Sequence, residues 1–109
     1  MSVGKVKSGG HATNPGFSST SGVQIAMYSF SDIDYDAATQ SVTLGTGLVW
    51  DDVYTTLEEY GVMVVGPIVT GIGIGGVTLG GGMSFQVWFP MISMKLILLC
   101  VFNRVFIFD

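Results

Sequence analysis

Thr70-Gly71-Ile72-Gly73-Ile74-Gly75-Gly76-Val77-Thr78-Leu79-Gly80-Gly81-Gly82 is the segment on which the fold assignment turns. Gly71-x-Gly73-x-x-Gly76 within it formally matches the dinucleotide fingerprint, which needs a strand before it, a helix after it and an acid about 20 residues further on. Val77-Thr78-Leu79-Gly80-Gly81-Gly82 is not expected to propagate a helix, and the region where the acid should stand is apolar. A Rossmann site is therefore not expected, and Gly66–Gly82 is read as too short to hold a further helix. No G-x-x-x-x-G-K-[ST] occurs, so a P-loop is excluded.

Working outward, Val49–Tyr60 reads as the one convincing helix: Trp50, Val53, Tyr54 and Leu57 fall at i, i+3, i+4 and i+7 and make one apolar face. Asp51 and Asp52 sit in its first turn, where acids favour the helix dipole, and Gly61 follows as a C-terminal cap would. Val3–Lys7, Val23–Met27, Ile33–Tyr35, Ser41–Leu44 and Val62–Val65 read as short strands. They are separated by loops at Ser8-Gly9-Gly10, Thr13–Gly22, Asp36-Ala37-Ala38 and Gly45-Thr46-Gly47. The pattern is α+β, short strands with one helix, and incomplete at both ends.

The 109 residues allow one domain or a piece of one, and only 11% are charged against about 25% in ordinary globular chains. A net charge of -4 disfavours a nucleic-acid or anionic-membrane partner. One His and one Cys cannot build a zinc site or an internal disulfide framework. All 16 glycines lie between Gly4 and Gly82, and residues 1–86 hold two Lys against seven acids, whereas 87–109 hold Lys95 and Arg104 against Asp109. That last stretch, VWFPMISMKLILLCVFNRVFIFD, has three competing readings. A membrane helix needs about 20 apolar residues and is interrupted by Pro90 and Lys95. A buried strand or helix lacks a clear period. The reading we favour is a tail never selected to fold, such as translated intron or frameshifted sequence, because local inconsistency argues against a folded design. Residues 1–7 show no charged leader, apolar core or cleavage site, so no signal peptide is expected in them. The localisation of the protein cannot be read from this chain.

Glycine permits positive φ and close backbone approach, so N–H groups of two loops, Ser8-Gly9-Gly10 and Gly71–Gly82, can converge on a pyrophosphate without any cationic side chain. On spacing alone the plainer reading is turns and bulges in a tight sheet. His11 stands at the tip of the first glycine turn, where its ring would project beside whatever the loop binds. No acid is evidently paired with it, and no Ser or Cys nucleophile has a base, so a hydrolase triad has no support. Asp32, Asp34 and Asp36 alternate and would share one strand face. Their spacing lacks the Gly and bidentate Glu of an EF-hand, so they read as a solvated face and no metal is expected. Trp50 and the nearby tyrosines read as core packing rather than a cofactor stack.

Val6-Lys7-Ser8-Gly9-Gly10-His11, then Gly45-Thr46-Gly47 with Trp50, then Gly73-x-Gly75-Gly76-x-x-Leu79-Gly80-Gly81-Gly82, form an ordered set. With them the chain resembles the PCMH-type FAD-binding domain of the vanillyl-alcohol oxidase and p-cresol methylhydroxylase superfamily. Within that superfamily it is most similar to the fungal berberine-bridge-enzyme-like FAD-linked oxidases. The resemblance covers Val3–Gln86, which makes 1–86 a partial FAD-binding domain and 87–109 a tail outside the homology.

The resemblance implies a flavin oxidoreductase that takes a hydride from an alcohol, sugar or amine and passes it to O₂. Relatives are often secreted, with any targeting segment upstream. The resemblance also implies that Lys7, Ser8, Gly9, Gly10 and His11 form the pyrophosphate loop, with His11 bonded covalently to the flavin methyl group. Thr70, Gly71, Gly73, Gly75, Gly76, Gly80 and Gly81 belong to the second cofactor-contacting segment. Bicovalent relatives carry a second attachment through Cys. Here that position reads Val69 and Cys100 lies in the tail, so attachment is expected through His11 only. The family's first strands, substrate domain and catalytic base are not among these residues, so the chain is expected to be inactive alone, with FAD as its partner. The alternative is a small non-catalytic membrane-associated or interaction protein that acts through Val87–Asp109 without flavin.

Overall fold

The computed structural model describes residues 4–80 and 104–106. Its elements, in order, are β1 (Lys5–Lys7), β2 (Gln24–Ala26), β3 (Ile33–Asp36), β4 (Ser41–Leu44), α1 (Trp50–Glu58), α2 (Ile74–Gly80) and β5 (Arg104–Phe106). They form two sheets, a parallel pair β1-β2 and an antiparallel set β3-β4-β5. This is an α+β arrangement, and β1 to β4 fall where alternation and turn residues place them.

The β3–β4 hairpin pairs Ile33 with Leu44 and Asp36 with Ser41. Its turn closes on Asp36, whose Oδ1 accepts the Ala38 N–H at 2.9 Å and whose Oδ2 accepts the Thr39 hydroxyl at 2.9 Å. An aspartate that mimics a turn in this way lets the chain reverse without glycine. Gln40 takes the left-handed conformation, φ 48°. Asp34 and Asp36 lie on the exposed face of β3, while Ile33 and Tyr35 turn toward the core.

The core is one cluster: Val42 and Leu44 of β4, Trp50, Val53 and Leu57 of α1, and Leu48, Val64 and Ile74 from the connections and α2. The buried α1 residues are those of the expected stripe. Tyr54, at its edge, stays half-exposed, with its hydroxyl donating to the Pro67 carbonyl at 2.8 Å and its ring 5.7 Å from that of Trp50. Val49 supplies no side-chain cap. The Trp50 N–H is taken by the Ile72 carbonyl at 2.9 Å instead. At the other end Gly61 has φ 67°, and the Gly61 and Val62 N–H groups donate to the Glu58 and Leu57 carbonyls at 3.0 and 3.3 Å. These two bonds make a Schellman ending with Gly61 at its left-handed position.

Two expectations need correction. Val62–Val65 is extended, with Val64 buried and Met63 exposed, but it builds no strand among the described residues. Its alternation reflects one face on the core, with a single β-bridge at Met63, and Pro67 just beyond has no N–H to offer. The second concerns Ile74–Gly80, which is helical although no helix was expected there. Three of its residues are glycines, each costing about 1 kcal/mol relative to alanine inside a helix. Its first N–H groups find acceptors elsewhere in the fold, Ile74 on the Leu48 carbonyl at 3.0 Å and Gly75 on Ser8 Oγ at 3.1 Å. These tertiary bonds supply the anchor that local sequence lacks. A helix therefore does follow the fingerprint, and the case against a Rossmann unit rests on the acid missing about 20 residues further on.

In the apolar tail, Arg104–Phe106 pairs with the free edge of β4, Val105 opposite Val42. Most of the tail, including Cys100, lies outside the described residues, as do Gly81 and Gly82. Among the described residues no helix is long and apolar enough to cross a membrane.

Candidate functional site

The β1–β2 pairing ends at Lys7, whose carbonyl takes the Met27 N–H at 2.9 Å. Beyond it the backbone of Ser8–His11 leaves the sheet and forms one wall of a cavity of about 640 Å³. The opposite wall is Ile72, Gly73 and the first turns of α2, with Thr46 at the base between them.

Glycine is required where these walls meet. A Cβ on Gly9 would stand 2.5 Å from the Gly73 Cα and N, and one on Gly73 would stand 2.5 Å from the Gly9 Cα. Real Cβ atoms do not approach backbone so closely, so the two loops touch only because both residues lack a side chain. Gly10 adopts φ +74°, and a Cβ there would meet the Lys7 stem.

Ser8 fastens three segments together. Its hydroxyl donates to the Thr46 carbonyl at 2.5 Å and accepts from the Gly75 N–H at 3.1 Å. The loop after β1, the loop after β4 and the start of α2 thus share one side chain. Gly47 packs its Cα face on the chain after β2, where a Cβ would lie 2.7 Å from the Met27 carbonyl carbon.

Of the expected site residues, Lys7, Ser8, Gly9, Gly10, His11, Gly73, Gly75 and Gly76 line the cavity together. Thr70, Gly71 and Gly80 do not line it, and Gly81 lies outside the described residues. Thr70 and Gly71 are instead bound to Asp51 at the start of α1. The Thr70 hydroxyl donates to Oδ1 at 2.5 Å and the Gly71 N–H donates to Oδ2 at 2.7 Å. The Thr70 hydroxyl and then the Gly71 N–H hold the Asp51 carboxyl below its ordinary value of 3.8. Burial, followed by the nearby Asp51 charge, pushes the Tyr54 hydroxyl up to about 12.

Thr46, Ile72, Val77 and Leu79 also line the cavity without having been singled out as ligands. The first belongs to Gly45-Thr46-Gly47, whose two glycines were the available signal. Val77 and Leu79 became visible only once α2 was seen to be helical, and Ile72 only once its segment was seen to pack on the Ser8–Gly10 loop. Neither is the cavity free of cationic side chains, as the glycine loops alone suggested. Both Lys5 and Lys7 line it, and among the described residues no carboxylate does. The Lys5 ammonium donates to the Gly16 and Ser19 carbonyls at 3.1 and 2.9 Å, whereas the Lys7 ammonium lies 5.9 Å over the Tyr28 ring. In a chain of net charge -4 this is a locally cationic hollow.

The residues present fit a dinucleotide diphosphate. Two backbone segments converge, two lysines line the cavity, and a Cβ placed on Gly76 would meet nothing within 4 Å, leaving room along that wall. Consistent with this, residues 5–97 match the family model described as FAD binding domain. An uncharacterized FAD-linked oxidoreductase of Arthroderma benhamiae is 46% identical over 81 residues, covering 73% of this chain and 16% of that protein. The FAD-dependent monooxygenase yanF of Aspergillus niger is 40% identical over 81 residues, covering 72% and 14%. The FAD-dependent monooxygenase FUP4 of Fusarium proliferatum is 39% identical over 80 residues, covering 72% and 16%. The chain thus spans about a sixth of the length of these relatives. A glycine-walled, cationic cavity formed by the three ordered motifs and a family match across most of the chain lead to one assignment: this chain belongs to the FAD binding domain family.

Proposed function

We propose that residues 5–80 hold the diphosphate-bearing part of FAD, and that the protein they belong to is a flavin-dependent oxidoreductase. The observation that carries this reading is the cavity wall: convergent glycine backbone at Gly9 and Gly73, with two lysines and, among the described residues, no carboxylate. Backbone N–H groups and a lysine are what an anion needs, and glycine lets them come close. Bound FAD supplies a two-electron acceptor that no side chain of this chain provides. The chain's own residues bind and orient: Ser8 fixes the three walls, Gly9 and Gly10 shape the first loop, and Lys7 offers positive charge.

His11 lines the same cavity and is exposed. In keeping with the family resemblance, it is the proposed point of covalent attachment, and the only one, since Val69 stands where bicovalent relatives have Cys. The 109-residue chain is expected to stay yellow after acid precipitation and to release its flavin in that treatment when His11→Ala is made. A colourless chain that also fails to quench added FAD fluorescence would rule the cofactor reading out.

For the whole protein the resemblance supports an oxidase, which passes the substrate's hydride to FAD and then to O₂. The names of the relatives support oxygen insertion instead. Full-length enzyme supplied with ¹⁸O₂ separates the two, since an oxidase releases the label as H₂O₂ and a monooxygenase incorporates it into product.

A further inference from the structure

We propose that Asp51 is a positioning residue for the cofactor site, setting from outside the cavity the conformation of the Thr70–Gly73 segment against which the Ser8–Gly10 loop rests. This rests on the FAD reading above. An acid in the first turn of a helix ordinarily serves its own helix, through the dipole or the terminal N–H groups. The Asp51 carboxylate instead spends both oxygens on residues 19 and 20 positions away, Oδ1 on the Thr70 hydroxyl and Oδ2 on the Gly71 N–H.

What those bonds hold is a short relay. Gly71 is left-handed at φ +77°, a conformation glycine enters freely and leaves as freely, so something outside it must select it. Next to it the Ile72 carbonyl accepts the Trp50 N–H at 2.9 Å, and Gly73 bridges to Val49. Gly73 then meets Gly9 with no room for a methyl group on either side. The carboxylate's last contact, Gly71, directly precedes Ile72, the first residue of the cavity wall. A shift at Gly71 therefore reaches the first loop through packed backbone rather than through a flexible side chain. The donors that bind the carboxylate also favour its ionised form, so the clamp persists through the neutral range and opens in acid.

FAD is titrated by flavin fluorescence against the 109-residue chain, unsubstituted and variants alike in a His11→Ala background that keeps binding reversible, with amide exchange at Gly71 measured in parallel. Asp51→Asn and Thr70→Val are each expected to weaken FAD binding about threefold to tenfold and to speed Gly71 exchange, because each breaks a charge-assisted bond. The double variant is expected to bind no worse than Asp51→Asn alone, since that substitution already weakens the bond that Thr70→Val removes. Thr70→Ser, which keeps the hydroxyl, restores affinity, and Asp52→Asn on the same turn leaves it unchanged. Affinity of the unsubstituted chain falls as the pH drops below 3.8, and that of Asp51→Asn does not follow it. If the unsubstituted chain binds FAD and Asp51→Asn and Thr70→Val bind it equally well, or if their losses simply add, this proposal is overturned alone. An unsubstituted chain that binds no FAD overturns the cofactor reading and this proposal together.

Discussion

Ser8 and the glycines around it do different jobs that a sequence motif runs together. The Ser8 hydroxyl is committed to Thr46 and Gly75 within the protein. Ser8→Ala leaves a part-buried acceptor and donor without their partner, which costs about 1–3 kcal/mol. Gly9 is there for contact with Gly73, whereas Gly76 faces open space. Gly9→Ala is therefore expected to lower the midpoint of thermal unfolding and abolish FAD binding together. Gly76→Ala is expected to raise stability by about 0.5–1 kcal/mol through helix propensity while still weakening FAD binding. A Gly76→Ala chain that binds FAD normally would show that this wall does not touch the cofactor. Titration adds two limits. The Asp51 carboxyl titrates lower in the folded chain than its ordinary 3.8, so its contribution is present above that pH and lost as pH falls through the folded value. The Tyr54 hydroxyl titrates higher, about 12 against 10, so its contribution is present below pH 10 and lost on the way to 12. Thermal unfolding against pH should be level through the neutral range and fall on both sides, with the alkaline fall lost in Tyr54→Phe.

Between the two helices, stability comes from different sources. α1 carries a buried stripe and its own Schellman ending, so Leu57→Ala should cost about 2–5 kcal/mol through the cavity it leaves. Gly61→Ala should destabilise as well, since a side chain is strained at φ 67°. α2 has three glycines in seven residues and one buried side chain, Ile74, and is held at its start by Leu48 and Ser8. Hydrogen exchange should accordingly show Ser8→Ala opening α2 while leaving α1 protected. Equal loss of protection in both helices would mean that they unfold as one unit, against this account.

Across the whole chain, the antiparallel sheet and the parallel pair differ in cover. β4 is buried on the core, whereas β1 and β2 leave Val6 and Ile25 exposed at 68% and 55%. Exposed apolar sheet of this kind favours association, and the 109-residue chain on its own is expected to self-associate at high concentration. It is also expected to make no H₂O₂ from any substrate, because the family's substrate domain and base are not among these residues. The division of the chain at residue 86 stands as our proposal. The family match runs to residue 97, beyond the composition break, and Arg104–Phe106 pairs with β4. Sequencing the transcript across Gln86-Val87 tests it. A spliced message leaving this frame there makes the tail an artefact, and one reading through to Asp109 makes it part of the protein.

What sequence alone determined is local. The stripe of α1 was legible because a 3.6-residue period on an apolar face can bury only one way, and the hairpin because Asp36 closes its own turn. The motifs carrying Gly9, Gly10, His11, Gly73 and Gly75 were legible through the family resemblance, since on spacing alone such glycines read as turns and bulges; at Gly9 and Gly73 the physical reason is backbone that touches backbone. Sequence could not reveal that Ile74–Gly80 is helical, since the groups that hold its first turn lie on Leu48 and Ser8, distant along the chain. Nor could it show that Thr70 and Gly71 answer to Asp51, or that Lys5 and Lys7 of an acidic chain line one cavity. Those outcomes depend on which distant donors and acceptors the packed core brings within hydrogen-bond reach, and only the tertiary structure decides that.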